Sequence, residues 1–369
     1  MQGRLQSLIS RLPASILVIA VLIGVAGCRG DDGGASVAKD ACGSADQPLA
    51  GPSARLAYRG SKDVVADVPL LCERLKALEA PTRVQGVGPD RLVVEVPAAL
   101  AAAARLTAQT GALAFYDWEA NVIGPGGVQA PADPKVTGGA AAGQVGAVKL
   151  YDAVLRASKR PAIVESDNAR AGSRWYAVDA EAREVYGTGS ATRSAALAAV
   201  PRADRAGATV LEVKPGTVVV RAEQPPDAEP MDAWFVLEDD AALVGDEIVD
   251  PKQAVDEGPG GAGAPIVTFG FTGEGAEDFQ DMTRELVRRG SRSSATSAAD
   301  ANQHFAIVLD DLVVSIPYVD FRNNPGGIDG MGDAQIQGGF TLAYARALAS
   351  VLRTGALEVP LEPAEPPAP

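Results

Sequence analysis

The sequence predicts an α+β fold of two βαββαβ-type units joined by an irregular middle region. Two observations predict it. Short alternating runs and amphipathic stretches follow one another in the same order near both ends of the chain, and Gly, Pro and Ala crowd much of the stretch between. In the first unit Arg55–Arg59 alternates as a strand. A helix follows, with Asp67 as N-cap, Pro69 in its tolerant first turn, and Val68, Leu71, Cys72, Leu75 and Leu78 on one face. Arg83–Val87 and Arg91–Val96 read as strands joined through Gly88-Pro89-Asp90. Pro97 opens an alanine-rich helix that stops at Gly111, and Ala112–Trp118 returns as a strand. This β-α-β-β-α-β order is the ferredoxin-like pattern.

The C-terminal third repeats that order. Pro265–Phe271 is a strand, and Glu274–Arg289 a helix with Ala276, Phe279, Met282 and Leu286 on its apolar side. Acids in its first turn and Arg288-Arg289 in its last complement the helix dipole, and Gly290 ends it. Phe305–Leu309 and Leu312–Val319 are strands around the tight turn Asp310-Asp311. Ala334–Phe340 is a third strand, Thr341 caps a helix to Thr354, Gly355 stops it, and Ala356–Leu361 is a last strand.

Residues 1–27 form a lipoprotein signal peptide, with Arg4 and Arg11 before the apolar core Ile16–Val25 and small residues before Cys28. That core is short of the roughly 20 apolar residues a transmembrane helix needs. Cys28 is therefore the predicted lipidation site, with an uncleaved anchor helix as the alternative. The remaining divisions are a flexible linker at 28–53, the first α+β unit at 54–120, the irregular middle at 121–264, the second unit at 265–362 and a disordered Pro-rich tail at 363–369. Within the middle, Gly124–Gly143 is a loop, Gly146–Ala157 a short helix, and Arg174–Val178, Val210–Val220 and Ala233–Leu237 short strands.

The chain of 369 residues carries a net charge of −14, and loss of a leader holding two arginines would bring it near −16. So acidic a surface argues against nucleic acid as a partner, because phosphate binding needs clustered Lys and Arg. Of three cysteines, Cys42 and Cys72 remain if Cys28 carries lipid. They form a possible disulfide, and a buried free thiol at Cys72 is the alternative reading.

Few motifs carry chemistry. His304 is the only histidine, which removes histidine-based triads and metal sites, and its place at the start of a strand reads as structural. Gly258–Gly263 matches G-x-G-x-x-G but precedes a strand, the wrong context for a dinucleotide, and there is no P-loop. The loop Asp320–Asp333 clusters oxygen ligands, yet its spacing does not fit a calcium-binding EF-hand and its residues are ordinary turn formers. No cofactor, metal or catalytic residue is indicated.

Several segments resemble one family. Arg83-Val84-Gln85-Gly86-Val87-Gly88, Leu92–Pro97 and Thr110–Phe115 look like the start of the SecD periplasmic domain. Gly275-Ala276-Glu277-Asp278-Phe279 with Thr283, Phe305–Asp310, Val314–Pro317, Ile336–Thr341 and Leu348 to Leu352–Pro360 look like its later part. The resemblance spans about residues 55–362 and implies base-like and head-like subdomains of the first periplasmic (P1) domain. It further implies a role in protein translocation with exported polypeptide chains and the Sec translocon, or full-length SecD or SecF, as partners. Family members continue into transmembrane helices, whereas this sequence ends in Pro366–Pro369, so an accessory role is expected. The leading expectation is a non-enzymatic, lipid-anchored module on the extracytoplasmic face of the membrane that binds emerging or unfolded polypeptide. The alternative is a lipoprotein binding a solute or envelope ligand, and a third reading is a hydrolase with an unrecognised Ser/Lys or acid pair.

Overall fold

The computed structural model describes residues 42, 49, 51–60, 64–124, 146–163, 168–170, 172–222, 233–258, 263–293 and 301–364. Cys28 and the signal segment lie outside these residues, as does most of the G-x-G-x-x-G stretch.

The α+β class is observed. The first sheet contains β1 (Ser53–Gly60), β2 (Arg83–Gly86), β3 (Arg91–Pro97) and β17 (Leu361–Ala364), in the antiparallel order β17-β1-β3-β2. Helices α1 (Val68–Lys76) and α2 (Ala101–Thr107) serve this sheet. The arrangement is ferredoxin-like, but the fourth position belongs to the C-terminal strand. The expected fourth strand, β4 (Leu113–Asp117), joins a second sheet. There it lies between β10 (Leu243–Val244) and β13 (Gln303–Leu309), followed by β14 (Leu312–Ser315), β8 (Thr217–Ala222) and β9 (Trp234–Glu238). Every residue of β4 is matched with β13, from Leu113–Leu309 to Asp117–Phe305. Its burial explains this: Leu113 to Tyr116 are all buried, so the strand needs cover on both faces, which a sheet interior supplies.

The last strand is not Ala356–Leu361 but β17, which begins at Leu361 and takes in Pro363 and Ala364 from the expected tail. Its register Tyr58–Pro363 and Arg59–Glu362 is set by the edge of β1 rather than by its own propensity. Two other strands are shorter than expected. Pro317 divides Leu312–Val319 into β14 and β15 (Tyr318–Val319), since proline cannot donate to the ladder. β16 covers only Ala334–Ile336 and stops before Gly338-Gly339.

The middle is more regular than its composition suggests. Beyond α3 (Trp118–Asn121) come α4 (Leu150–Ala157), β5 (Arg174–Asp179), β6 (Glu184–Ser190), α5 (Arg193–Ala198) and β7 (Ala208–Val213). The strands form a third sheet in the order β6-β5-β7. A fourth, β11-β12-β16, joins β11 (Ile248–Val255) to β12 (Pro265–Phe271).

Helix α6 (Gly273–Arg292) continues past Gly290, which is buried against the backbone of Ala301 and the ring of Phe321 instead of ending the helix. Thr272 caps its start by accepting from the N–H of Gly275. Helix α7 (Leu342–Thr354) begins as expected, with the Thr341 hydroxyl accepting from the N–H of Tyr344, and ends at Gly355 with φ 71°. The largest core runs through both ends of the chain. Leu71 and Leu75 of α1, Leu348 and Val351 of α7, and a ring cluster of Phe115, Phe269, Phe279 and Phe305 share it.

Asp67 occupies the N-cap position of α1 but its side chain does not cap. It accepts from the N–H groups of Glu358 and Val359, each at 2.9 Å, and so fixes the chain after α7. Arg74 is fully buried and completes this tie. Its guanidinium donates to the carbonyls of Thr107 and Thr110, both at 3.0 Å, and of Gln109 and Gly355. One arginine thus satisfies the free carbonyl ends of α2 and α7.

Candidate functional site

Asp310, at φ 55°, closes the β13–β14 hairpin and turns inward. Its carboxylate accepts from the N–H groups of Gly111 at 3.1 Å and Ala112 at 3.0 Å, and its carbonyl accepts from Arg170. Asp311 pairs with Arg170 and, at 3.3 Å, with Arg174. The N–H of Arg170 donates to Asp239 at 2.8 Å, whose other oxygen accepts from the Tyr116 hydroxyl at 2.7 Å. Burial raises the Asp310 carboxyl above the usual range, opposed by the two backbone donors. Burial also works against charge on Arg170, but Asp311 and Asp239 outweigh it and hold the guanidinium charged. Arg170 and Asp239 come from segments whose sequence shows only loop character. Their meeting with Asp311 is a product of the fold.

A cavity of about 130 Å³ opens beside this junction, lined among others by Arg174, Tyr176, Thr217 and Asp311. It has room for a few waters at about 30 Å³ each. A larger open cavity of about 670 Å³ runs along α4, with Val148, Asp152, Leu155, Arg156, Lys159 and Arg160 on its walls. Arg156 donates there to the carbonyl of Ile123 at 3.1 Å, and Arg160 pairs with Glu238 at 2.6 Å.

His304 is buried on β13, its Nδ1 2.7 Å from Glu119 and its N–H donating to the same carboxylate at 2.9 Å. Arg289, in the last turn of α6, grips Asp117 through two hydrogen bonds of 2.6 and 2.7 Å. Asp117 in turn caps α3 through the N–H of Ala120. This cluster ties α6, α3 and β13 together, the structural role expected of His304.

The loop 320–333 is also structural. Asp320 accepts from the N–H of Arg322, while Asp333 faces Lys252 at 4.0 Å, so the two acids point to separate partners. Among the described residues no three His, Cys, Asp or Glu side chains converge to hold a metal ion. The loop lies along α6. The Thr283 hydroxyl accepts from the N–H of Ile328 at 2.9 Å, and a Cβ on Gly327 would come within 2.8 Å of the backbone N of Arg284. In the segment Gly275–Phe279, Gly275 allows Glu247 to approach, where a Cβ would meet its carbonyl at 2.6 Å. Phe279 enters the ring cluster, stacked on Phe271 at 4.7 Å. The family-like segments therefore build packing and caps.

Cys42 and Cys72 are joined in a disulfide, with Cα atoms 5.7 Å apart. Cys42 also lies on the edge of β2, its carbonyl accepting from the N–H of Val84 at 3.3 Å. No helix among the described residues is long and apolar enough to cross a membrane.

The geometry thus defines an α+β module with polar ties, cavities and strand edges as its candidate sites. Residues 220–359 match the family described as SecDF, P1 head subdomain. The chain is 35% identical over 128 residues to protein translocase subunit SecD of Calditerrivibrio nitroreducens, covering 35% of this chain and 20% of that protein. It is 33% identical over 129 residues to SecD of Aquifex aeolicus, covering 35% and 21%, and 38% identical over 117 residues to SecD of Streptomyces coelicolor, covering 32% and 18%. The chain spans about a fifth of the length of these relatives. A solved structure of SecDF, described as a membrane component that enhances protein export, is 20% identical, with 85% of this chain and all of that chain covered at a TM-score of 0.36. That likeness is too loose to carry argument. The similarity to the SecD family is shown by the sequence matches, and the head-like segment is its core.

Proposed function

We propose that this chain serves protein translocation as a non-enzymatic, lipid-anchored module on the extracytoplasmic face of the membrane. In this reading it binds emerging or unfolded polypeptide beside the Sec translocon or full-length SecD or SecF. The match of residues 220–359 to the SecDF P1 head subdomain carries the reading. The disulfide supports an oxidising compartment, and Cys28 would supply the anchor.

Photo-crosslinkers at the exposed Tyr318 and Met331 in living cells test it. Secretory precursors or translocon subunits are expected among the adducts, and their joint absence sinks the reading. Cys28→Ser should release the protein from membranes, and continued retention rules out the lipid anchor.

A solute- or envelope-ligand-binding role is the second reading. The cavity along α4 favours it, because about 670 Å³ lies within the span of roughly 300–1,000 Å³ common to ligand pockets.

A further inference from the structure

A strand at the edge of a sheet invites pairing, and proteins blunt such edges with bulges, proline, short length or cover. The edges of the four sheets can be compared on that basis. β2 is met by disulfide-held Cys42, and β17 carries Pro363. β10 has two residues and β16 three. β9 is bridged at Leu237 by Val122 and at Trp234 by Val148. β11 contains Asp250 at φ 51° followed by Pro251, and its register shifts there. β6 holds Gly187 and Gly189 at positive φ, and its register with β5 also shifts.

β7 has none of these defences. Its residues Ala208–Val213 pair with β5 in one unbroken register, contain no Gly or Pro, and meet no other strand among the described residues. Both faces are occupied. Ala208 and Val210 pack with Ala196 and Val200 on the α5 side, and Leu211 and Val213 with Val154 of α4. The open part is the backbone edge. In an antiparallel strand alternate N–H groups face away from the partner. The N–H of Ala208 donates to the carbonyl of Asp204 at 3.2 Å, and on that phase Val210 and Glu212 turn theirs outward.

We propose that this edge takes an extended, acidic polypeptide segment as an added antiparallel or parallel strand. The proposal rests on the polypeptide-binding reading and assigns it a site outside the head-like match. Charge selects the occupant. Arg202 and Arg205 precede the strand and Lys214 follows it, with Asp204 the one acid between Arg193 and β7, in a chain whose net charge is −14. Glu212 is engaged by the Ser173 hydroxyl at 2.7 Å. A second copy fits poorly, because antiparallel pairing of two β7 strands about Val210 sets Lys214 of one opposite Ala206 of the other with Arg205 adjacent, bringing cations together at both ends.

Fluorescence anisotropy of the full chain tests this with two labelled 12-residue probes, one alternating Glu with Val and Thr, the other with Lys in place of Glu. The acidic probe is expected to bind at least about tenfold tighter. Val210→Pro removes an outward N–H while leaving the β5 ladder, and should weaken it by about tenfold or more. Because Val210 touches α5, a second variant guards against misfolding: Arg202→Glu, Arg205→Glu and Lys214→Glu together should reverse the preference. Unchanged binding in both variants overturns the site. A dimer in sedimentation that Val210→Pro abolishes overturns it in favour of self-pairing. If a reduced, alkylated unfolded protein still binds both variants as it binds the parent, the site fails and the polypeptide reading survives. If neither that protein nor the acidic probe binds the parent, both fail.

Discussion

At the scale of single residues, buried charge is used here to finish hydrogen bonding. Arg74 faces four backbone carbonyls at the ends of two helices, and burial depresses its pKa to about 10 against the pull of Asp310 and Asp67. Arg74→Met keeps the volume but strands those acceptors, so unfolding in urea should show a loss of about 3–5 kcal/mol. Glu247 presents the opposite case. Burial raises its pKa above the ordinary 4.5, helped by the neighbouring carboxylates Asp278 and Glu274 and opposed by the N–H of Val244. The folded state therefore holds this proton more tightly than the unfolded chain does. Its stabilising contribution is present at low pH and is lost as pH rises through the raised value. Glu247→Gln should raise the melting temperature relative to the parent at pH 7, with the gap closing near pH 4. A constant gap across that range would contradict the assignment.

At the scale of elements, close backbone approach decides where helix α6 sits. Gly275 admits Glu247 at one end, Gly290 admits Ala301 at the other, and Gly327 lets the following loop lie along its middle. Gly327 has φ 84° as well, so Gly327→Ala adds backbone strain to a clash with the helix. A loss of about 1–3 kcal/mol is expected from thermal unfolding, larger than for Ala at the open Gly326. The elements themselves are largely readable. Helix α7 announces both its ends through Thr341 and Gly355, and the apolar face of α1 is as its spacing implies. β6 and β17 are not readable in this way, since Gly187, Gly189 and Pro363 speak against strands and only a partner's edge imposes them.

At the scale of the whole molecule, the two ends of the chain are interlocked. β17 near the C-terminus completes the first sheet, β4 from the first third sits inside the second, and the described residues from Cys42 to Ala364 fall in one compact unit. The disulfide then fastens residue 42 to α1 across a sequence separation of 30. Replacing Cys42 and Cys72 by Ser should lower stability by about 3–4 kcal/mol on loop-closure grounds, read as an earlier midpoint of a single transition. Two separated transitions in the parent would argue against the interlock.

Periodicity, caps and turn residues determined the α+β class and most strands and helices near both ends, while the resemblance to the SecD family rested on particular segments such as Leu92–Pro97 and Gly275–Phe279. Those signals are local, so one sequence displays them. The tertiary structure decided which sheet β4 and β17 enter, that Asp67 and Arg74 serve distant helix ends, and that Arg170, Asp239 and Asp311 meet. It also decided which strand keeps an open edge. Backbone pairing is nearly indifferent to side-chain identity, and buried charges are placed by what surrounds them, so neither leaves a periodic trace in the chain.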